Sequence, residues 1–251
     1  MPVTIGELEA VAAQGWRAPE QAPLGRWLLR AARGFTGRAN SALATGDPGM
    51  PLADAAAGVR AWYAARGLPA MVAVPYPLGR AGDSRTDRFL DRHGWGIRPG
   101  PAVVMTAAAA DVSRSGPAGE AELRAEPDQA WLDLYRYRGQ RLPPVARQLL
   151  VSAPVQAFAS IRRDGATVAV GRVAVAAGWG GLTAVEVHPG HRRTGLATAI
   201  NAALAGAAMS HGATRLYLQV EEGNQAARRL YRRSGFTDHH GYHYRIAPEV
   251  G

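Results

Sequence analysis

A chain of 251 residues is long for one ordinary domain and comfortable as two, and 47% hydrophobic residues can build a sizeable core. The absence of cysteine excludes disulfides and thiolate metal sites; with no apolar run long enough to cross a bilayer and no signal-peptide pattern, a cytoplasmic protein without a membrane partner is expected. The net charge of +9 is carried by arginine without a single lysine, which favours a phosphate- or carboxylate-bearing ligand, unless the Ala/Arg/Gly-rich composition simply reflects codon usage.

Thr4 to Glu7 has capping-box spacing ahead of a short helix that ends near Gly15. RWLLRAA (26–32) and GRANSALA (37–44) read as strands, the first equally as a buried helical turn. PLADAAAGVRAWYAARG (51–67) opens on proline, stops on glycine and repeats its apolar residues at helical spacing. PAMVAVPYP (69–77) predicts a buried strand, SRTDRFLDRHG (84–94) a helix and GPAVVMTAA (100–108) another strand. The polar DVSRSGPAGE (111–120) reads as a linker.

Past it, AELRAE predicts a strand, a helix runs from Asp128 to about Arg138, and a further helix follows Pro143-Pro144. VQAFASI and TVAVGRVAVA flank Arg162-Arg163-Asp164-Gly165 as a hairpin, and LTAVEV continues the sheet. A helix from Gly195, the strand RLYLQV, the helix NQAARRLYRRSG and the strand YHYRIA close the chain. Hairpins first and helix–strand alternation later predict a mixed sheet, α+β or α/β. The halves echo each other: Phe89-Leu90 with Gly94-Trp95 lies over Leu230-Tyr231 with Gly235-Phe236, either a tandem repeat with one degenerate copy or two helix endings that happen to match.

Between LTAVEV and the following helix lies HRRTGLATAI (191–200). Such a turn exposes amides that have no intrahelical partner, and Gly195 with small Ala197 lets a ligand approach, so a diphosphate can sit there on the helix dipole. Neither a triphosphate P-loop nor the Gly-x-Gly-x-x-Gly of a dinucleotide fold occurs. Downstream, Asn224 stands near an N-cap, Ala227, Leu230 and Tyr231 share a helix face, and Gly235 ends that helix.

On VEVHPGHRRTGLA and NQAARRLYRRSGF, roughly 121–246 resembles the GCN5-related N-acetyltransferase (GNAT) family, and the first half resembles that family's later helix–strand–helix portion. The resemblance implies tandem GNAT-like domains: a degenerate copy at 1–110, a linker at 111–120 and a catalytic domain at 121–251. It implies acetyl-CoA as cosubstrate, in a gap between the strand ending at Val187 and the strand ending at Val220. The diphosphate would lie on Arg192, Arg193, Thr194, Gly195, Leu196, Ala197 and Thr198, the thioester on the main chain at Val185 and Val187, and Asn224 would complete the cofactor site. Direct attack by a primary amine, without an acyl-enzyme and without a metal, is the expected chemistry.

Tyr231 matches the family's thiolate proton donor, a reading preferred over a purely packing tyrosine. Glu186 is the first candidate general base, or a solvated strand residue; some family members carry a glutamate where this chain has Gln219, which leaves Glu221 as a substitute. His239, His240 and His243 look like a metal cluster, but the first and last are too far apart on a strand for one metal shell and no acidic partner is evident. The Tyr/Arg run at 134–147 resembles an RNA-binding surface less than a cap over an acceptor groove, so no nucleic-acid partner is expected. Arg30, Arg33 and Arg38 with Asn40 suggest carboxylate binding, hence a small acidic amine acceptor such as glutamate; protein or peptide acetylation and a non-catalytic acyl-CoA sensor are the alternatives. Nothing in the sequence fixes the oligomeric state.

Overall fold

The computed structural model describes residues 3–117, 119–137 and 139–248. The chain forms two compact units, each discontinuous in sequence. One comprises the chain up to Val104, Glu221–Gly223 and the chain from Asp238 on; the other comprises Met105–Val220 and Asn224–Thr237.

In the first unit, helix α1 (Ile5–Gly15) starts as its capping box dictates, the Glu7 amide donating to the Thr4 hydroxyl and the Thr4 amide to the Glu7 carboxylate. Strands β1 (Glu20–Leu24) and β2 (Trp27–Ala31) form a hairpin, and β3 (Ala42–Leu43) lies antiparallel to β2. Helix α2 (Leu52–Ala64) crosses over so that β4 (Met71–Tyr76) runs parallel to β3. Helix α3 (Arg85–Arg92) and the short β5 (Gly96–Ile97) follow, and β6 (Ala102–Ala108) carries the chain from one unit into the other. Trp27, Leu29, Val59, Tyr63, Val72, Leu90 and Trp95 form the core of this unit, each worth about 1.5–3 kcal/mol on full burial.

The second unit repeats the plan. After α4 (Ala109–Arg114), strand β7 (Glu122–Arg124), α5 (Gln129–Leu134) and α6 (Val145–Leu150), strands β8 (Val155–Arg163), β9 (Ala166–Ala176) and β10 (Trp179–Val187) form an antiparallel meander, with β7 on its outer edge. Helix α7 (Leu196–Ser210) then crosses over and β11 (Arg215–Glu221) returns parallel to β10. Helix α7 lies close on the sheet because a Cβ at Gly171 would come within 2.5 Å of Ile200 Cγ2. Helix α8 (Gln225–Arg233) precedes the last strand, β12 (Thr237–Ile246). Both units are thus mixed sheets flanked by helices, the α/β class the element pattern predicts.

The correspondence between the halves reaches individual hydrogen bonds. At the end of α3 the Trp95 amide donates to the Leu90 carbonyl around left-handed Gly94; at the end of α8 the Phe236 amide donates to the Tyr231 carbonyl around left-handed Gly235. Leu90, fully buried, therefore occupies the place that Tyr231 holds in the other copy.

Several expectations from the sequence are corrected. The strand at 37–44 shrinks to Ala42–Leu43, because Arg33, Gly34 and Thr36 are left-handed and turn the chain first. The segment 111–120 is no free linker: α4 buries Ala109 and Val112, and Gly116 sits where a Cβ would lie 2.9 Å from the Thr198 carbonyl oxygen of α7. Ala118 is outside the described residues, as is Arg138. The helix expected from Asp128 is capped there but ends at Leu134, with Tyr135 already extended. Strand β12 belongs by its pairing to the first unit, lying antiparallel to β4 from Gly241 opposite Tyr76 to Ile246 opposite Met71.

Candidate active site

The site expected from the sequence lies in the second unit, where β10 and β11 part. Their parallel pairing runs only from Trp179 opposite Arg215 to Leu182 opposite Leu218, although both strands continue. The cause is visible on the other edge of β10: its register against β9 shifts between Thr183 and Glu186, and Ala184 adopts a φ of +56°. A bulge turns the strand and strengthens its twist, so residues 183–187 swing out of line with β11. These residues are all partly exposed, and among them are Val185, Glu186 and Val187.

At the mouth of this gap, Pro189–His191 make one 3₁₀ turn, the Thr194 hydroxyl donates to the His191 carbonyl, and Gly195 (φ +88°) begins α7 with no side-chain cap. The first helical bond is from the Ala199 amide to the Gly195 carbonyl, so the amides of Leu196, Ala197 and Thr198 precede any intrahelical acceptor. Arg192, Arg193, Thr194 and Gly195 are exposed, while the Leu196 side chain is buried and contributes its backbone alone. Arg193 is itself left-handed, φ +67°. This is a donor-lined turn of the kind that binds phosphate, and the expected diphosphate fits it. A Cβ at Gly195 would meet nothing within 4 Å, so a side chain there costs the fold only backbone strain, about 1–3 kcal/mol, while filling the approach to the amides. Gly195→Val should leave the protein folded and abolish coenzyme A binding in calorimetry; retained affinity would remove the diphosphate from this turn.

Arg192 donates through Nε to the Val187 carbonyl at 3.2 Å and through Nη2 to Glu186 Oε1 at 3.3 Å. Burial pushes the Glu186 carboxyl above its ordinary value, and the Arg192 charge only partly opposes this. A carboxyl with a raised pKa is a stronger base than an ordinary carboxylate, which suits the proton-accepting role the sequence suggests for Glu186. With Glu186 as the base the sequence suggests, acetyl transfer should lose rate as pH falls through that raised value, since the protonated acid cannot accept the amine's proton. Glu186→Gln should slow transfer by about 10²-fold and flatten that limb, and an unchanged pH profile would eliminate Glu186 as the base.

Asn224 caps α8, its Oδ1 accepting from the Ala227 amide at 3.1 Å. Tyr231, partly buried on α8, packs edge-on against Phe236, and its hydroxyl has no hydrogen-bond partner among the described residues. Burial pushes its phenol up to about 12. Glu221 is exposed at the end of β11 and counts by its packing with the first unit.

The proposed acceptor residues of the first half are not brought together as a binding surface. Arg30 is buried, donating to the carbonyl and hydroxyl of Ser41. Asn40 accepts from the amides of Ala32 and Gly34 and donates to the carbonyls of Phe35 and Thr36, which uses its full hydrogen-bonding capacity. Both are fixed inside the fold, and Arg38 lies over the Trp16 ring at 5.0 Å. The histidines have the acidic partners that the sequence did not reveal: His240 pairs with Glu9 at 2.9 Å and His243 with Asp87 at 3.0 Å. A charged groove of about 390 Å³ between α5 and the start of α6, lined by Arg136, Arg141, Arg147 and Asp133, replaces the first-half arginines as the candidate acid-binding surface. Its signal was present in the Tyr/Arg run at 134–147.

A family model described as "Probable histone acetyltransferase Rv0428c C-terminal" matches residues 3–245. An "Uncharacterized N-acetyltransferase YobR" of Bacillus subtilis is 31% identical over 96% of this chain and 98% of its own length. A "Probable histone acetyltransferase Rv0428c" of Mycobacterium tuberculosis is 33% identical over 98% of this chain and 75% of its own. Among solved structures, a GCN5-related N-acetyltransferase from Kribbella flavida superposes with a TM-score of 0.68 at 19% identity, covering 99% of this chain and 98% of that one. A tandem GNAT protein from the clavulanic acid biosynthesis pathway gives 0.57 at 14% identity, over 72% of this chain and 65% of that one.

Proposed function

This chain belongs to the GCN5-related N-acetyltransferase family, and we propose that it moves acetyl directly from acetyl-CoA to the primary amine of a small acidic acceptor, an amino acid such as glutamate. The observation that carries the reading is the parting of β10 from β11 at the Ala184 bulge, with the uncapped start of α7 at its mouth. Acetyl-CoA supplies the activated acyl carbon. The amides of Leu196 to Thr198 and the Arg193 side chain hold its diphosphate, and the main chain at Val185 to Val187 orients the thioester. Glu186 takes the ammonium proton, directly or through a water, and the Tyr231 hydroxyl gives a proton to the departing sulfur.

The first unit is proposed to hold no coenzyme A. The corresponding cleft beyond β3 and β4 is lined by Asp47 and Arg85, 3.6 Å apart, and α2 follows an N-cap at Pro51 with no arginine–glycine turn. One coenzyme A per chain is the expected stoichiometry, and two equivalent sites by titration would refute the assignment.

The acidic acceptor is supported by the net charge of +9 and by Arg136 and Arg141 of the α5–α6 groove, whose planar forks match carboxylates, while Arg147 there is paired with Glu126. The mycobacterial relative's name favours a second reading, a lysine of a basic protein. Like charge argues against that acceptor for a chain this basic. Release of free coenzyme A thiol, measured with glutamate, aspartate, polyamines and lysine-rich peptides, separates the readings. Preference for acidic amino acids is expected, preference for polyamines or peptides would overturn it, and coenzyme A binding without thiol release from any acceptor would make the protein a sensor.

A further inference from the structure

The first unit contains a small cavity that none of the acetyl-transfer chemistry uses. It is about 230 Å³, below the ~300–1,000 Å³ of pockets for drug-sized ligands, and it is lined by Gly34, Thr36, Gly37, Leu68, Met71 and Arg98, with Asn40, Pro69 and Ile246 completing the wall. Arg98 is the one charged residue among them. Its amide donates to the Tyr244 carbonyl at 2.9 Å, which anchors its backbone beside β12. Its guanidinium lies 5.5 Å from the Tyr244 ring centre and 3.8 Å from Met71 Sδ, and among the described residues it meets no carboxylate.

The wall opposite is built to leave that guanidinium room. A Cβ at Gly37 would lie 2.8 Å from Arg98 Nη1 and 2.8 Å from the Tyr244 ring. The loop reaches Gly37 through left-handed Arg33, Gly34 and Thr36, a path that costs strain at the two non-glycine positions. Asn40 holds the path with its four hydrogen bonds, and the Trp16 indole N–H fixes the Thr36 hydroxyl at 3.1 Å. These bonds also set the chemistry of the wall. Asn40 has no capacity left for a ligand, the Thr36 hydroxyl already accepts from Trp16 and has only its own hydrogen to offer, and Leu68, Pro69, Met71 and Ile246 are apolar.

We propose that this cavity binds a short aliphatic monocarboxylate, the carboxylate paired with Arg98 and the chain lying against Leu68, Met71 and Ile246. One guanidinium provides one planar fork, which matches a carboxylate. A phosphate has more oxygens than the Arg98 fork and the single Thr36 hydroxyl can serve, and the rest would face apolar walls without donors. The site gives the repeat that lacks the coenzyme A turn a ligand of its own, and it stands independently of the acceptor assigned to the catalytic unit.

Calorimetric titration of the full chain with butyrate tests it, with butyramide and inorganic phosphate as comparisons. Butyrate should bind once per chain with a Kd of about 0.1–10 mM, as so small a ligand allows, and both comparisons should bind at least about tenfold more weakly. Arg98→Met, which keeps the wall but removes the fork, should weaken butyrate about 10- to 100-fold. Leu68→Trp, which leaves the charge in place and fills the apolar end, should also weaken it, so the proposal does not depend on one variant folding. No butyrate binding by the native chain, equal affinity in both variants, or phosphate binding as tightly as butyrate would overturn it.

Discussion

Replacing Tyr231 with phenylalanine should lower turnover about 10²- to 10⁴-fold while leaving coenzyme A affinity close to that of the native protein. The change removes one oxygen and keeps the ring that packs edge-on against Phe236 at 5.8 Å, so the helix end should survive. On the proposed mechanism, what is lost is a proton donor. Burial pushes the phenol up to about 12, which keeps the hydroxyl protonated throughout the neutral range and able to neutralise a departing thiolate. No alkaline loss of rate below that value should be traceable to Tyr231. Steady-state rates together with calorimetric binding decide the matter: unchanged turnover in Tyr231→Phe would reduce the residue to packing, and a parallel loss of cofactor affinity would point to a collapsed α8.

Asp87→Ala should destabilise the first unit by about 3–5 kcal/mol, a large share of the ~5–15 kcal/mol that holds a typical protein folded. Asp87 is completely buried at the start of α3. It accepts from Arg245 Nε at 2.6 Å, from His243 Nε2 at 3.1 Å and from the Gly82 amide at 2.9 Å. Alanine would take the shared acceptor from Arg245 Nε and the His243 ring, both buried on β12, leaving Arg245 with Asp91 and the Trp95 carbonyl on its Nη1. Burial alone would push the Asp87 carboxyl up, but the hydrogen bonds from His243 and Arg245 together bring it below its ordinary value. A carboxyl depressed by folding stabilises fully above its unfolded value and loses that contribution as pH falls through the folded one. Denaturant unfolding should therefore show an acid limb in the native protein that Asp87→Asn flattens. A loss under about 1 kcal/mol for Asp87→Ala would mean that β12 is held by its strand pairing alone.

The sequence by itself determined whatever depends on neighbours along the chain. The Thr4–Glu7 capping box, the Asn224 cap, the glycine endings at Gly94 and Gly235 and the arginine–glycine turn before α7 each involve residues within about one helical turn of one another, so spacing specifies their geometry. Alternating and helical apolar periods located most of the strands and helices for the same reason.

Tertiary structure alone decided the rest, because burial and strand pairing join residues far apart in the chain. The acids that pair with the β12 histidines come from α1 and α3, so no local pattern could couple His240 to Glu9 or His243 to Asp87. Arg30 and Asn40 have the residue types of a carboxylate site, and only packing shows them turned inward onto the backbone of their own loop. The Ala184 bulge opens the candidate active site at a residue with no intrinsic preference for positive φ; the pairing of β10 with β9 imposes that conformation. The last strand lies beside β4 because ladder hydrogen bonds are formed between backbones, which are the same for every sequence except at proline; side-chain pattern announces a strand and leaves its partner to the fold.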